Sequence, residues 1–334
     1  MSDLRKILII RFSSIGDIVL TSPIIRSLRT QFPDAAIHYV TKATYQPLLH
    51  ANPHIDRVHT LSTTLFALIQ ELRKEQFSAV IDLHNNLRSH IITTALGRPY
   101  SRFPKMNREK YKLVRSHGST PAIPHVVERY YAAGQKWDLQ PDGKGLEHFV
   151  PAQEQVNSGI LPAKYIAAGI GGTYPTKVFP TEQWLALIPR LTAPVVLLGG
   201  PQDLDMAMAL QKAFPDQVLH NIGTWSVNQS ASVLAQSAAV ISNDTGMMHL
   251  AAAFRKPLAV TWGNTVPAFG MGPYYGQESP PPTQHFQVEG LDCRPCHKLG
   301  HKACPEHHFK CMRNQDVQDI ARFVNHCLAK KSSV

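Results

Sequence analysis

The chain lacks several signatures that would settle its class at once. No stretch of its 334 residues approaches the roughly 18 to 20 uncharged apolar residues that a membrane-spanning helix needs. No Gly-x-Gly-x-x-Gly follows the first apolar run, which counts against a dinucleotide-dependent dehydrogenase, and no Walker A loop is present. Cysteine is missing from the first 292 residues. All five cysteines fall in the last 42, whereas a disulfide-built secreted protein spreads them through its loops. Aromatic residues make up only 8%, and zinc-finger, homeodomain and RNA-recognition signatures are missing, so nucleic acid is not the expected partner. The N-terminal MSDLRKILIIRF has four apolar residues before Arg11 and no small-residue cleavage site. It is expected to form a first strand, and the chain is expected to stay in the cytoplasm. Acid is also in deficit: 24 Asp and Glu face 34 Lys and Arg, a net charge of +10 that favours anionic partners.

What is present is an alternation of short apolar runs and helical patterns. KILIIRF, IVLTSPIIRSLRTQF and AIHYVTK form a strand-helix-strand unit, and TLFALIQELRKEQF leads into SAVIDLHNN, apolar until Asp82 and His84. Buried strands of a parallel sheet have this form, with polar residues at the carboxyl ends where ligands bind. Residues 98–117 carry seven Arg or Lys against one Glu and are expected to be a basic loop. HVVERYYAAGQKW is a helix, and the Pro- and Gly-rich residues 139–162 are a linker. Beyond it five strands alternate with four helices, which predicts a second doubly wound α/β domain. The expected boundaries are 1–155, 156–314 and a last helix within 315–334 that crosses back to the first domain.

Three segments carry chemistry. In RFSSIGDIVLTSP, Ser13, Ser14, Gly16 and Asp17 stand where the first strand turns into a helix. There Asp17 is equally suited to capping the helix and to acting as a general base. In GGTYPTKVFPTEQW, Gly171, Gly172, Thr173 and Lys177 offer amides, a hydroxyl and an ammonium to a phosphate, although a plain loop with a solvated lysine fits as well. In SNDTGMMHLAA, Asp244 and Thr245 end a strand and Gly246 opens a helix carrying His249. That helix N-terminus is suited to a pyrophosphate.

Together with HVVERY, LLGGPQD and KPLAVTWG, these segments resemble the heptosyltransferases of lipopolysaccharide core synthesis, glycosyltransferase family 9, in the same order through both halves. The resemblance implies the GT-B fold, two Rossmann-like doubly wound parallel-sheet domains facing across a cleft, with an acceptor-binding N-terminal domain and a nucleotide-sugar-binding C-terminal domain. It implies an inverting transfer of heptose from ADP-L-glycero-D-manno-heptose to a phosphorylated lipid A/Kdo inner-core acceptor at the inner face of the cytoplasmic membrane, with no cofactor required for catalysis. Asp17 matches the family's general base and Lys177 the lysine that stabilises the leaving diphosphate. Val178 separates that lysine from Phe179-Pro180, where family members often have Trp in place of Phe. Gly172, Thr173, Asp244, Thr245, Gly246 and His249 match donor-binding positions, and Asp203 falls near an acidic position that contacts ribose. Ser14, Gly16, Arg88, Arg102, Lys105 and Arg108, with Lys110 and Lys112, lie in regions resembling the acceptor-binding side of the first domain. Two further readings keep part of this picture: another nucleotide sugar, used by a transferase or an epimerase, or a non-catalytic nucleotide-dependent protein that docks anionic surface polymers.

The cysteine run has its own pattern. Cys293-x-x-Cys296, followed by Cys304 and Cys311 with histidines interleaved, presents four thiolates to a structural zinc or iron ion. Reduced thiols packed in a loop are the plain alternative, and Cys327 on the last helix is expected to be packing.

Overall fold

The computed structural model describes residues 4–62, 64–118 and 120–330. They divide into two compact units: one comprises the described residues up to Met106, Pro124–Pro151 and Tyr274–Glu278, and the other Asn107–Ile123, Ala152–Pro273 and the residues from Ser279 onward.

The first unit alternates β1 (Lys6–Ile10), α1 (Ile15–Val19), α2 (Ser22–Gln31), β2 (Ala36–Lys42), β3 (Arg57–Leu61), α3 (Leu65–Lys74), β4 (Ala79–Asp82), α4 (Leu87–Leu96) and β5 (Tyr100–Arg102). After α5 (Asn107–Arg115), which belongs to the second unit, α6 (Val126–Gly134) completes it. Its five strands run parallel in the order β3-β2-β1-β4-β5. The central strand is uniformly apolar because helices cover both faces: Ile7, Leu8, Ile9 and Ile10 are wholly buried. Leu8, Ile10, Phe12, Val40 and Val80 share one core cluster with Leu68, Ile69 and Leu72 of α3 and Ile92 of α4.

The second unit continues with β6 (Ile166–Gly169), α7 (Thr181–Leu187), β7 (Val195–Leu198), α8 (Leu204–Ala213), β8 (Val218–His220), α9 (Val227–Gln236), β9 (Ala239–Asn243) and α10 (Gly246–Ala253). It ends with β10 (Leu258–Trp262), β11 (Thr283–Gln287), α11 (Lys310–Arg313) and α12 (Val317–Ala329). Six parallel strands lie in the order β11-β10-β9-β6-β7-β8. Both sheets are doubly wound, as expected, and each reverses its winding direction next to its first strand. The reversal falls between β1 and β4 in one sheet and between β6 and β9 in the other.

Three expectations need correction. β3, β5 and β11 were not anticipated, and each is an edge strand. One side of an edge strand has no neighbour, so RVHTL, YSR and TQHFQ need no apolar run. The basic segment 98–117 is not a plain loop, since it holds β5 and α5, and its part from Asn107 groups with the second unit. The last helix groups with the second unit: Ile320, Ala321, Val324 and Leu328 of α12 sit in that unit's core with Leu187, Ile241 and Met312. Its apolar face is thus spent locally. Residues 331–334 of that expected segment lie outside the described residues.

At the amino end of the first sheet, His38 on β2 and His59 on β3 form a buried pair. His59 Nδ1 lies 2.5 Å from Glu71 Oε1 and His59 Nε2 lies 2.9 Å from His38 Nδ1. A carboxylate only accepts, so the hydrogen-bond network assigns Nδ1 of His59 as donor and leaves Nε2 to accept from His38. Among the described residues, His38, His59 and Glu75 are the group that brings three metal-ligand atoms within 4.8 Å of one another. Lys6 and Arg57 already hold Glu75 at 2.8 and 2.6 Å, which makes the group an ion network and not a metal site. Burial pushes the His38 imidazole down to about 4, and the neighbouring His59, Lys6 and Arg57 add to the effect against Glu75. The folded state therefore disfavours the protonated form. Stability is complete above the ordinary histidine pKa of about 6.5 and falls as pH drops toward 4, by up to about 3 kcal/mol. His38→Asn keeps a donor near Nδ1 and removes the titration, so its urea midpoint is expected to change less between pH 7 and pH 5 than that of the wild type. Equal losses in the two proteins refute the assignment.

Candidate active site

In open parallel sheets, ligands bind beyond the carboxyl ends of the strands where the winding reverses. In the first unit this edge carries Arg11 and Phe12 after β1 and Leu83 and His84 after β4. Arg11 is 8% exposed, and each nitrogen of its guanidinium has a partner: Nε donates to the Ser13 carbonyl, one terminal nitrogen to the Leu83 carbonyl, and the other meets Asp17 Oδ1 at 2.7 Å.

Asp17 is the third residue of α1, not its cap. Ser14 is the N-cap, and Asp17 Oδ2 accepts from the Ser14 backbone N–H at 3.1 Å and from its Oγ at 2.9 Å. This is half of a capping box, and it fixes the carboxylate's rotamer. Burial alone would raise the Asp17 pKa; the Arg11 charge and the Ser14 hydrogen bonds outweigh it and hold the carboxyl below its ordinary value. The side chain keeps 22% of its surface exposed, so an ionised carboxylate remains reachable. Gly16 is buried beside it.

His84 was passed over as a functional residue, although it ends an apolar strand in the sequence. Its ring meets Phe12 edge-on at 5.2 Å, and its Nδ1 is buried without a hydrogen-bond partner among the described residues. Burial, followed by the charges of Arg11 and Lys105, pushes its pKa down to about 3, so it stays neutral near Asp17.

The expected acceptor cations are divided between the two units. Arg88 is exposed and lines a pocket with Lys42. Arg102 is tied to its own unit: its Nε lies 3.4 Å from Asp82, a terminal nitrogen donates to Thr93 Oγ1, and its guanidinium lies over Tyr100. Lys105 accepts through its carbonyl from Arg129, whereas Arg108, Lys110 and Lys112 lie on α5 and belong to the second unit.

In the second unit the reversal joins the loop after β6 to the end of β9. Asn243 ties them together: its Oδ1 accepts from the Phe179 N–H and Thr261 Oγ1, and its Nδ2 faces the carbonyls of Gly169, Ile170 and Gly171. Lys177 Nζ sits 2.5 Å from Asp244 Oδ2, and Thr265 Oγ1 donates to that same oxygen at 2.7 Å. An ammonium has three N–H donors; Asp244 takes one through Oδ2 and another, at 3.4 Å, through its carbonyl, which leaves one for a ligand.

Thr245 is the N-cap of α10 but makes no side-chain capping bond, and its buried Oγ1 has no partner among the described residues. The amides that open α10 at Gly246 have no intrahelical acceptors, and the helix dipole favours negative charge there. His249 stands in the first turn, 3% exposed. Gly172 is packed close: a Cβ there would lie 3.1 Å from Val178 and 3.4 Å from Thr245. The motif residues Gly172, Lys177, Asp244 and Thr245 are thus brought together, and Thr173 is exposed on the same loop.

Asp203 is placed differently. Its Oδ2 accepts from the Gly200 N–H and Gln202 Nε2, and it lies so close behind Gly171 that a Cβ there would come within 2.1 Å of it. Its observed bonds hold the Gly199-Gly200 turn. Asn243, Thr265 and Arg11 were not singled out from sequence; the polar pair Asn243-Asp244 closing an apolar strand is the signal that could have found the first.

Cys293, Cys296, Cys304 and Cys311 are free thiols that line one pocket, with Thr176, Asn264 and His308. Its cavity of about 20 Å³ has room for one water-sized occupant. Cys293 Sγ lies 3.8 Å from His308 Nε2. Cys327 is buried on α12 among packing residues, as expected.

Two doubly wound parallel-sheet units, with a held carboxylate at one reversal and a phosphate-ready helix start at the other, define a glycosyltransferase of the GT-B fold. The solved family 9 glycosyl transferase from Veillonella parvula superposes with a TM-score of 0.77 at 18% identity, covering 98% of each chain. The ADP-heptose lps heptosyltransferase II of E. coli gives 0.73 at 21% identity, covering 97% of this chain and 98% of that one. In sequence, the lipooligosaccharide heptosyltransferase 2 of Haemophilus influenzae is 25% identical over 294 residues, 79% of this chain and 85% of that protein. The family model "Glycosyltransferase family 9 (heptosyltransferase)" matches residues 65–288, and the chain belongs to that family.

The Lys177–Asp244 pair is also a structural contact, because removing the lysine leaves a carboxylate 8% exposed with Thr265 as its remaining side-chain partner. Lys177→Met is expected to cost about 3 kcal/mol of stability, and the added Asp244→Asn to restore part of it. Urea denaturation of both single variants and the double variant measures the coupling; strictly additive costs show that the pair does not matter to folding.

Proposed function

We propose that this glycosyltransferase moves heptose from ADP-L-glycero-D-manno-heptose to a phosphorylated lipid A/Kdo inner-core acceptor at the inner face of the cytoplasmic membrane, with inversion at the anomeric carbon. The first unit serves the acceptor and the second holds the donor. The observation behind this is Asp17, an ionised and reachable carboxylate whose rotamer is fixed by Arg11 and Ser14. The names of the heptosyltransferase relatives support the choice of sugar.

In the proposed reaction the acceptor hydroxyl oxygen attacks the anomeric carbon. A new C–O bond forms as the bond from that carbon to the β-phosphate oxygen breaks, and ADP leaves with the electron pair. The hydroxyl proton passes to Asp17. Charge gathers on the diphosphate, where Lys177, the Thr245 hydroxyl and the first amides of α10 are placed to meet it. These groups are the ones the proposal assigns to the leaving charge. Asp17→Asn keeps the size of the side chain but not the proton acceptor. ADP release in the presence of acceptor is expected to fall by about 100-fold or more, while ADP binding by calorimetry is unchanged. Wild-type turnover in the variant overturns the assignment.

The four cysteines form a second proposed site, a structural zinc or iron ion held by Cys293, Cys296, Cys304 and Cys311. Soft thiolate donors and a cavity for a single small occupant support it. Their sulfurs are not drawn together as a bound ion would hold them, since no three of them come within 4.8 Å of one another. Binding would therefore tighten the 293–311 loop. Metal analysis of the purified protein is expected to give one zinc or iron per chain, lost in Cys296→Ser with a lower melting temperature. Metal-free wild-type protein of equal stability supports packed thiols.

A further inference from the structure

The amino-terminal halves of α3 and α4 carry three large apolar side chains that are exposed. Phe66 is 71% exposed, Leu87 76% and Ile91 43%. Leu87 and Ile91 stand four residues apart and so share a face of α4. Phe66 and Leu87 each adjoin a residue, Leu65 and Arg88, that lines the same open pocket of about 480 Å³. The rest of that pocket comes from Lys42, Ala43, Thr44, Leu61 and Ser62. All of this lies in the first unit, at the carboxyl edge of its sheet, the edge that also bears Asp17.

The segments that carry these side chains and line the pocket hold cations and no carboxylate. Residues 41–50, 61–70 and 83–96 contain no Asp or Glu at all, but include Lys42 and Arg88. Neither cation has an anionic side-chain partner among the described residues. Several other cations of this unit are held by carboxylates, Arg11 by Asp17, Arg26 by Asp142 and Glu147, Lys6 by Glu75 and Arg102 by Asp82, whereas Arg73, Arg129 and Lys136 donate to backbone carbonyls. Exposed aromatic and aliphatic side chains beside unpaired cations form the pattern that rests on an anionic bilayer, with the apolar groups in the headgroup boundary and the cations against lipid phosphates. No helix of the described residues is long and apolar enough to cross a membrane, so contact of this kind is superficial.

We propose that Phe66, Leu87 and Ile91, with Lys42 and Arg88, form the face by which the first unit docks on an anionic lipid surface. The inference rests on the proposed lipid-borne acceptor and goes further by assigning the residues that meet the membrane. It explains why apolar side chains are left bare at the sheet edge that the acceptor must reach.

The test is flotation of the full-length protein with vesicles of phosphatidylethanolamine and phosphatidylglycerol, and with vesicles of phosphatidylcholine alone. The wild type is expected to float with the anionic vesicles and not with the zwitterionic ones. Phe66→Ser with Leu87→Ser, both at exposed positions, is expected to weaken flotation about tenfold, and Lys42→Ala to weaken it further at low salt, an effect that raised salt screens out. ADP release with a delipidated, soluble acceptor is expected to be the same in Phe66→Ser/Leu87→Ser as in the wild type, which also shows that the variant is folded. Flotation unaffected by the double substitution, or equal on the two kinds of vesicle, overturns the docking face. Loss of transfer to the soluble acceptor in the wild type overturns the transferase proposal instead, and the vesicle result still stands or falls by itself.

Discussion

Both units depend on a carboxylate held at the place where a parallel sheet reverses its winding. Strand carbonyls and helix N-termini converge there, and a side chain at that edge is neither fully wet nor fully packed. An aspartate in such a position is held by a cation. Asp17 has Arg11 at 2.7 Å, and Asp244 has Lys177 at 2.5 Å with Thr265 on the same oxygen. Each pair does local work first. Arg11 also clamps the Ser13 and Leu83 carbonyls, so the turn after β1 and the end of β4 are fixed by one side chain. Asn243 does the same in the other sheet, holding the loop after β6 to the end of β9. Geometry that serves chemistry is thus a by-product of closing the sheet edge.

The contrast between paired and unpaired cations divides the basic residues by task. Arg11, Arg26 and Arg102 are buried or half-buried and bound to carboxylates, where they settle the fold. Lys42 and Arg88 stand without such partners beside exposed apolar groups. A net charge of +10 therefore says little until it is resolved residue by residue. Arg102 shows the difference: as a member of a basic run it looks ready for an anionic ligand, yet Asp82 and Thr93 already engage it.

The fold was legible where strands are central. β1, β4, β6, β7, β9 and β10 are apolar because both their faces are covered, and such runs stand out in a sequence. β3, β5 and β11 escaped because an edge strand is half exposed and its composition follows its neighbours, not its backbone. The direction taken by α12 was illegible for a related reason: an amphipathic helix announces an apolar face but not which core receives it, and here Ile320 and Val324 go to the second unit. Of the candidate site, the loops were legible and the contacts were not. Asp17 and Asp244 stood out by position at strand ends, whereas Arg11 looked like an ordinary end to an apolar run and Thr265 like an ordinary loop threonine. Asp203 was matched to a ribose-contacting position through the family resemblance alone, and its bond to the Gly200 amide, which also holds the turn, is a contact that the sequence does not announce.

The low pKa of Asp17 fits the proposed base despite appearing to oppose it. A carboxylate held by Arg11 and Ser14 is a weaker base than a free one, and a neutral sugar hydroxyl is far too weak an acid to give it a proton. The proton need not move from a neutral hydroxyl, however. As the oxygen bonds to the anomeric carbon it takes on positive charge, and its proton becomes far more acidic than any carboxylic acid. A weak base placed within reach then accepts it without an uphill transfer, provided the base is ionised when the acceptor arrives. Arg11 secures that ionisation, and the capping contact with Ser14 secures the direction in which the carboxylate points. The neutral His84 nearby adds no competing proton, because burial and the surrounding cations keep it deprotonated. In this arrangement the strength of the base has been exchanged for certainty about its charge state and position, which is the more useful property when the proton leaves late.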